Sequence, residues 1–167
     1  METITKNIPA LALRGLTVFP RMTASFDVER EISVRALERA METGQEIFLV
    51  TQRELGVELP EEKDLYEVGT VARVIQILRA SNSMMRVVME GGSRARLRRL
   101  WQREPFLQAQ VELIGEEKSP RHGTRTEAML RQTYALFGEY SELLPKQPES
   151  IFTTVMDATD PGFLADF

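Results

Sequence analysis

The stretch MMRVVMEGGSRARLRRLW, residues 84–101, decides what kind of fold this chain can adopt. Met85, Val87 and Met89 alternate with Arg86 and Glu90, and only Val88 blurs the pattern. A period of two puts the apolar residues on one face of a strand. Gly91, Gly92 and Ser93 read as a tight turn. After them Ala95 and Leu97 keep the period, and Leu100 falls one residue out of phase. A one-residue slip moves side chains to the other face, so it predicts a β-bulge at Arg98-Arg99.

Working outward, more short strands appear. YEVGTVARVIQIL (66–78) is rich in β-branched residues, and SNS (81–83) marks a turn. In LQAQVEL (107–113), Leu107, Ala109, Val111 and Leu113 share one face. EIFLVT (46–51) is a continuous apolar run, which suits a strand buried on both faces. PALAL (9–13) and residues 23–28 read as two earlier strands, joined by a loop over 14–22. Residues 30–43 read as a helix, with Val34, Leu37 and Met41 at helical spacing and Gly44 as its C-terminal stop. The polar stretch 52–66 reads as a loop. The sum is a mostly antiparallel barrel or curled sheet with one early helix.

At GEEKSPRHG (115–123) the composition turns polar, and afterwards the period is helical. Thr124 and Glu127 have the spacing of a capping box. Leu130, Phe137, Tyr140 and Leu144 supply an apolar stripe, and Pro145 ends that helix. A second helix spans 149–158, with Ile151, Val155 and Phe152 as the candidates to face inward. A third starts with Asp160 as N-cap and Pro161 at the first helical position. The fold class is therefore α+β: a β-rich part over 1–114, a linker over 115–123 and a helical part over 124–167. The third helix is only about two turns long, which is marginal alone. Phe163, Leu164 and Phe167 make it apolar, so the helical part reads as truncated at its C-terminal end.

Composition excludes several chemistries. Of 167 residues, 43% are apolar and 28% charged, enough for a real core, and the net charge of −4 gives no overall pull toward nucleic acid or anionic lipid. With no cysteine there is no thiol nucleophile, disulfide or Cys-type zinc site. The single histidine, His122, excludes a triad or two-His metal site and reads as a solvated linker residue. No Gly-rich phosphate loop occurs. Glu61, Glu62 and Asp64, like Glu116 and Glu117, cluster in polar loops that offer no contrast to separate two carboxyl pKa values. Neither a catalytic nor a cofactor-binding residue is expected. No apolar run reaches the ~18 residues of a membrane span. Arg14 interrupts the first apolar run, as no signal peptide would. The reading is cytoplasmic, with no membrane partner.

Two features remain. Leu16, Val18, Phe19 and Met22 make the 14–22 loop too apolar for a polar turn, so it either plugs the barrel or presents an exposed apolar surface to something else. Arg94, Arg96, Arg98, Arg99 and Arg103 form a basic stripe, either a nucleic-acid contact or a solvent face paired with neighbouring acids.

The chain resembles the N-terminal domain of Lon-type ATP-dependent proteases. The match is carried by Ile8-Pro9, Leu13-Arg14, Val18-Phe19-Pro20 and Met22. Arg30-Glu31 with Ser33 and Ala36-Leu37-Glu38 follow, then IFLVTQ (47–52), DLYEVGTVARV (64–74), MEGGSRARL (89–97) and DPGFLADF (160–167). Ala12, Gly15, Arg21, Ser25 and Glu29 depart from it where the family more often has Pro, an acid, Gly, Pro and Gly. The resemblance implies a PUA-like β-rich subdomain followed by a helical one. It implies binding of unfolded or damaged protein substrates and support of a homohexameric ring. ATP with magnesium, ATP hydrolysis and Ser-Lys peptide cleavage are implied for the parent serine endopeptidase, outside these residues. A PUA-like nucleic-acid-binding module and a standalone Lon-N-like interaction protein are the alternatives.

Overall fold

The computed structural model describes residues 4–79, 84–115, 123–144 and 148–167. The chain forms two compact units, Met1–Gly115 and Glu116–Phe167.

The first unit runs β1 (Thr5–Leu13), β2 (Thr23–Val28), α1 (Glu31–Glu42), β3 (Glu46–Thr51), a 3-10 turn (Glu62–Asp64), β4 (Val68–Arg79), β5 (Met85–Gln102) and β6 (Gln108–Leu113). The sheet order is β2-β5-β4-β3-β1-β6, and β6 also pairs with β5. Five strands therefore close on themselves, and β2 extends the sheet from β5. Among the described residues only β1 and β3 pair in parallel; the other pairings between these strands are antiparallel. The mostly antiparallel α+β architecture matches the expectation from the sequence.

Closure depends on β5. Its first part pairs with β2 from Met85 to Glu90, and its second pairs with β6 from Ala95 to Gln102. Gly91, Gly92 and Ser93 lie inside this 18-residue strand, so the expected turn is not there. The glycines serve close approach instead. A Cβ on Gly91 would sit 2.0 Å from the Phe19 carbonyl oxygen, and one on Gly92 would sit 2.7 Å from that of Val71. The bulge expected at Arg98-Arg99 is present: the β5–β6 register shifts between Leu97 and Arg99. The turn expected at 81–83 lies outside the described residues.

β3 is buried at all four central positions, as a doubly covered strand requires. Ile47 and Leu49 join Leu11 and Leu13 of β1 and Leu37 of α1 in one core cluster. Phe48 and Val50 join Ala10, Val71, Ala95 and Val111 in a second, drawn from all five barrel strands. α1 buries Ala36, Leu37 and Ala40 and stops at Gly44, whose φ of +103° suits glycine. β1 starts earlier than the apolar run because Thr5–Pro9 pairs with β6.

The second unit holds α2 (Thr124–Leu143), α3 (Glu149–Asp157) and α4 (Pro161–Asp166). The expected capping box is absent. Gly123 is the N-cap, Thr124 already lies in the helix, and the Thr126 and Glu127 amides both donate to the Gly123 carbonyl. α2 ends at Leu143; Pro145, His122 and most of the 115–123 linker lie outside the described residues. Asp160 caps α4 as expected, accepting from the Gly162 amide at 3.0 Å. The Phe137 ring lies 6.3 Å from Phe152, the Tyr134 hydroxyl donates to the Ala158 carbonyl, and Val155 is buried as expected.

Gly91→Ala forces Phe19 away from β5 and is expected to destabilise the protein by about 1–3 kcal/mol, read from urea unfolding. Gly44→Ala, where nothing lies within 4 Å, strains only the local backbone and is expected to cost less.

Candidate functional site

The loop over 14–22 leaves β1 and enters β2, and hydrogen bonds from three strands fasten it. The Thr51 hydroxyl on β3 donates to the Leu16 carbonyl at 2.9 Å and meets the Thr17 hydroxyl at 2.9 Å. The buried Thr70 hydroxyl on β4 donates to the Val18 carbonyl at 2.7 Å. On β5, the Gly91 carbonyl accepts from the Arg21 amide at 2.7 Å, and the Gly91 amide donates to the Met22 carbonyl at 2.8 Å. The Met22 amide closes a turn onto the Phe19 carbonyl at 3.2 Å, with Pro20 second and Arg21 third. Arg21 has a φ of +63°, the left-handed conformation this turn demands and glycine usually supplies. Arg21 and Met22 together oppose Gly91, a bulge that ends the β2–β5 ladder.

These tethers divide the four apolar candidates. Val18 is 3% exposed and belongs to the core, so its side chain plugs the fold and is not a surface contact. Leu16 and Met22 are half-buried against the same core. Phe19, 39% exposed, stands outward at the turn. Sequence reasoning missed Leu55, which is 60% exposed. Its Cδ2 would lie 3.7 Å from a Cβ on Gly15, which puts Leu55 beside the start of this loop. Arg14 fastens the same place, donating to the Val57 carbonyl at 3.0 Å and pairing with Glu58 at 3.0 Å.

The half-buried Arg30 guanidinium joins the helix start to β1 and the 53–60 loop. It donates to the Ala12 carbonyl, to Gln52 Oε1 at 2.8 Å and to the Glu58 carbonyl at 3.3 Å. Burial, and after it the charge of Arg14, holds the Arg30 pKa below its ordinary value; Glu58 opposes the shift.

The arginine stripe faces carboxylates of its own chain. Arg96 pairs with Glu67 at 3.5 Å, Arg98 with Glu112, and Arg103 with Glu61 at 3.3 Å. Arg94 is half-buried and Arg99 exposed. Arg96, Arg98 and Arg103 thus have acidic neighbours among the described residues, which reduces what a phosphate backbone would meet. Among the described residues, no three His, Cys, Asp or Glu side chains are placed to hold a metal, and no helix is long and apolar enough to cross a membrane.

A family model described as the ATP-dependent protease La (LON) substrate-binding domain matches residues 7–167. The chain belongs to this Lon family. It is 39% identical to a Lon protease of Brevibacillus choshinensis over 161 residues, covering 96% of this chain and 20% of that protein. It is 35% identical to Lon protease 1 of Bacillus subtilis over 165 residues, covering 99% of this chain and 21% of that protein. The chain thus spans about a fifth of the length of these Lon relatives. Its fold is that of the N-terminal domain of Mycobacterium avium complex Lon protease, with a TM-score of 0.70 at 19% identity over 96% of this chain and 80% of that one. A Lon N-terminal domain protein from Xanthomonas campestris matches with a TM-score of 0.60 at 14% identity, covering 96% and 95%.

Within this Lon domain the tethers predict two stability effects. Thr70→Val leaves the buried Val18 carbonyl without its donor, with an expected loss of about 1–3 kcal/mol. Faster amide hydrogen exchange over 16–22 would accompany it. Arg21→Gly relieves the left-handed strain, and a gain of about 0.5–1 kcal/mol is expected in urea unfolding.

Proposed function

We propose that this chain is the non-catalytic substrate-recognition domain of a Lon-type ATP-dependent serine protease. It holds unfolded or damaged polypeptide at the rim formed by Phe19, Leu16 and Met22, with Leu55 beside it. The observation that carries this reading is an aromatic residue left partly exposed on a loop that three strands hold in place. A folded domain that needed Phe19 only for stability would bury it, as it buries Val18. A fixed apolar rim also binds without first paying to order itself.

Unfolded chains offer apolar side chains that native proteins hide, so such a rim selects by exposure rather than by sequence. Each contact is weak, because the captured chain loses conformational freedom. Several copies in a homohexameric ring raise the effective concentration and hold a substrate that one copy releases. ATP with its magnesium ion, ATP hydrolysis and peptide cleavage belong to other parts of such a cytoplasmic enzyme, so the present residues need only grip and release.

Titration with reduced, carboxymethylated α-lactalbumin, a permanently unfolded chain, tests the reading. Amide NMR signals in 14–22 are expected to shift. Phe19→Ala is expected to weaken binding about five- to tenfold while lowering Tm less than Val18→Ala does. Binding should vary little between low and moderate salt. A steep loss with salt would point instead to the arginine stripe. Shifts elsewhere with none in 14–22 would overturn the assignment.

A further inference from the structure

The loop over 53–60 follows the buried Gln52 and ends on the buried Pro60. Side chains bond its carbonyls. Gln52 Nε2 donates to the Glu54 carbonyl at 3.2 Å and to the Val57 carbonyl at 2.9 Å. The Val57 carbonyl also accepts from Arg14 at 3.0 Å, and the Glu58 carbonyl accepts from Arg30 at 3.3 Å. Gln52 Oε1 accepts from Arg30 at 2.8 Å, so both ends of this buried amide are bonded. The same guanidinium donates to the Ala12 carbonyl on β1.

This loop and the 14–22 loop leave the sheet at one place. β1 and β3 run parallel and end side by side, with Leu13 opposite Thr51. The Gln52 backbone amide donates to the Leu13 carbonyl at 2.8 Å. That bond sets where the 53–60 loop starts. Where its exposed Leu55 stands depends on the side-chain donors, because a loop outside the sheet ladder is placed by the bonds its carbonyls accept. A buried polar network with every member bonded rigidifies the segments it joins. The outcome is Leu55 beside Gly15, at the start of the 14–22 loop.

We propose that Gln52, held by Arg30, is a positioning residue for the substrate rim: it fixes the 53–60 loop so that Leu55 stands beside the 14–22 loop and widens the apolar surface there. This rests on the substrate-binding reading and names what shapes the same site. Gln52 and Arg30 do not touch the captured polypeptide; they act through Leu55. Because the clamp is formed in the free protein, Leu55 is in place before substrate arrives and binding bears no cost of ordering the loop. The planar guanidinium suits this role, since one rigid fork reaches β1, Gln52 and the 53–60 loop together.

A double-mutant cycle tests this, with affinity for reduced, carboxymethylated α-lactalbumin as the readout. Leu55→Ala is expected to weaken binding about threefold. Gln52→Glu keeps the oxygen that Arg30 bonds but turns the donor facing the Glu54 and Val57 carbonyls into an acceptor. It is expected to weaken binding to a similar extent, and the double variant to bind no more weakly than Leu55→Ala alone. A purely structural role for Gln52 would not depend on Leu55, so losses that multiply in the double variant overturn the inference. Wild-type affinity of Gln52→Glu overturns it as well. Arg30→Lys, which keeps the charge and loses the fork, is expected to repeat the pattern and replaces Gln52→Glu should that variant not fold. If neither folds, the clamp serves stability alone and the inference falls. Unchanged binding by Leu55→Ala also overturns it, and the proposed function then stands if Phe19→Ala still weakens binding. If neither Leu55→Ala nor Phe19→Ala weakens it, both readings fall.

Discussion

At Gly91 two backbones meet with no room for a side chain. The Phe19 carbonyl would lie 2.0 Å from a Cβ there, and the glycine exchanges hydrogen bonds with Arg21 and Met22. Much follows from this contact. β5 can continue through it for 18 residues, reaching β2 at one end and β6 at the other, and so close the barrel. The loop over 14–22 is drawn onto β5, which sinks Val18 into the core and turns Phe19 outward. A side chain at position 91 would lift the loop and separate these two outcomes.

The two cores use the parallel pair of β1 and β3 as a shared wall. Side chains on a strand alternate between faces, so one continuous apolar run serves both sides. Leu11, Leu13, Ile47 and Leu49 face α1, while Ala10, Ala12, Phe48 and Val50 face the barrel strands. The helical unit is built differently. α2 buries none of its residues, and Val155 and Ala158 are the buried apolar residues among those described in this unit. Its rings instead meet in pairs, Phe137 with Tyr140 and Phe152, and Phe163 with Phe167.

Substrate capture of the kind proposed suits this architecture. The rim is small, and its side chains share the loop with a core residue, so rigidity is supplied by the fold rather than by the ligand. The basic stripe illustrates the opposite case. Arg96 and Arg98 stand on β5 and Arg103 just beyond it, and Glu67, Glu112 and Glu61 meet them, so much of a conspicuous run of charge is answered within the fold.

Local periodicity by itself determined the element types, the doubly buried β3, the bulge after Leu97, the C-terminal stop at Gly44 and the Asp160 cap. Each depends on residues within a few positions of one another, and so does each of these signals. The family was legible for a related reason, since its residues recur in order along the chain. Only the tertiary structure decided the role of Gly91-Gly92, the absence of a capping box at Thr124, and which of Leu16, Val18, Phe19 and Met22 faces water. Glycines that make a turn and glycines that admit another backbone look alike in sequence. The partners that tell them apart, Phe19 for Gly91 and Val71 for Gly92, are distant along the chain and adjacent only in the fold.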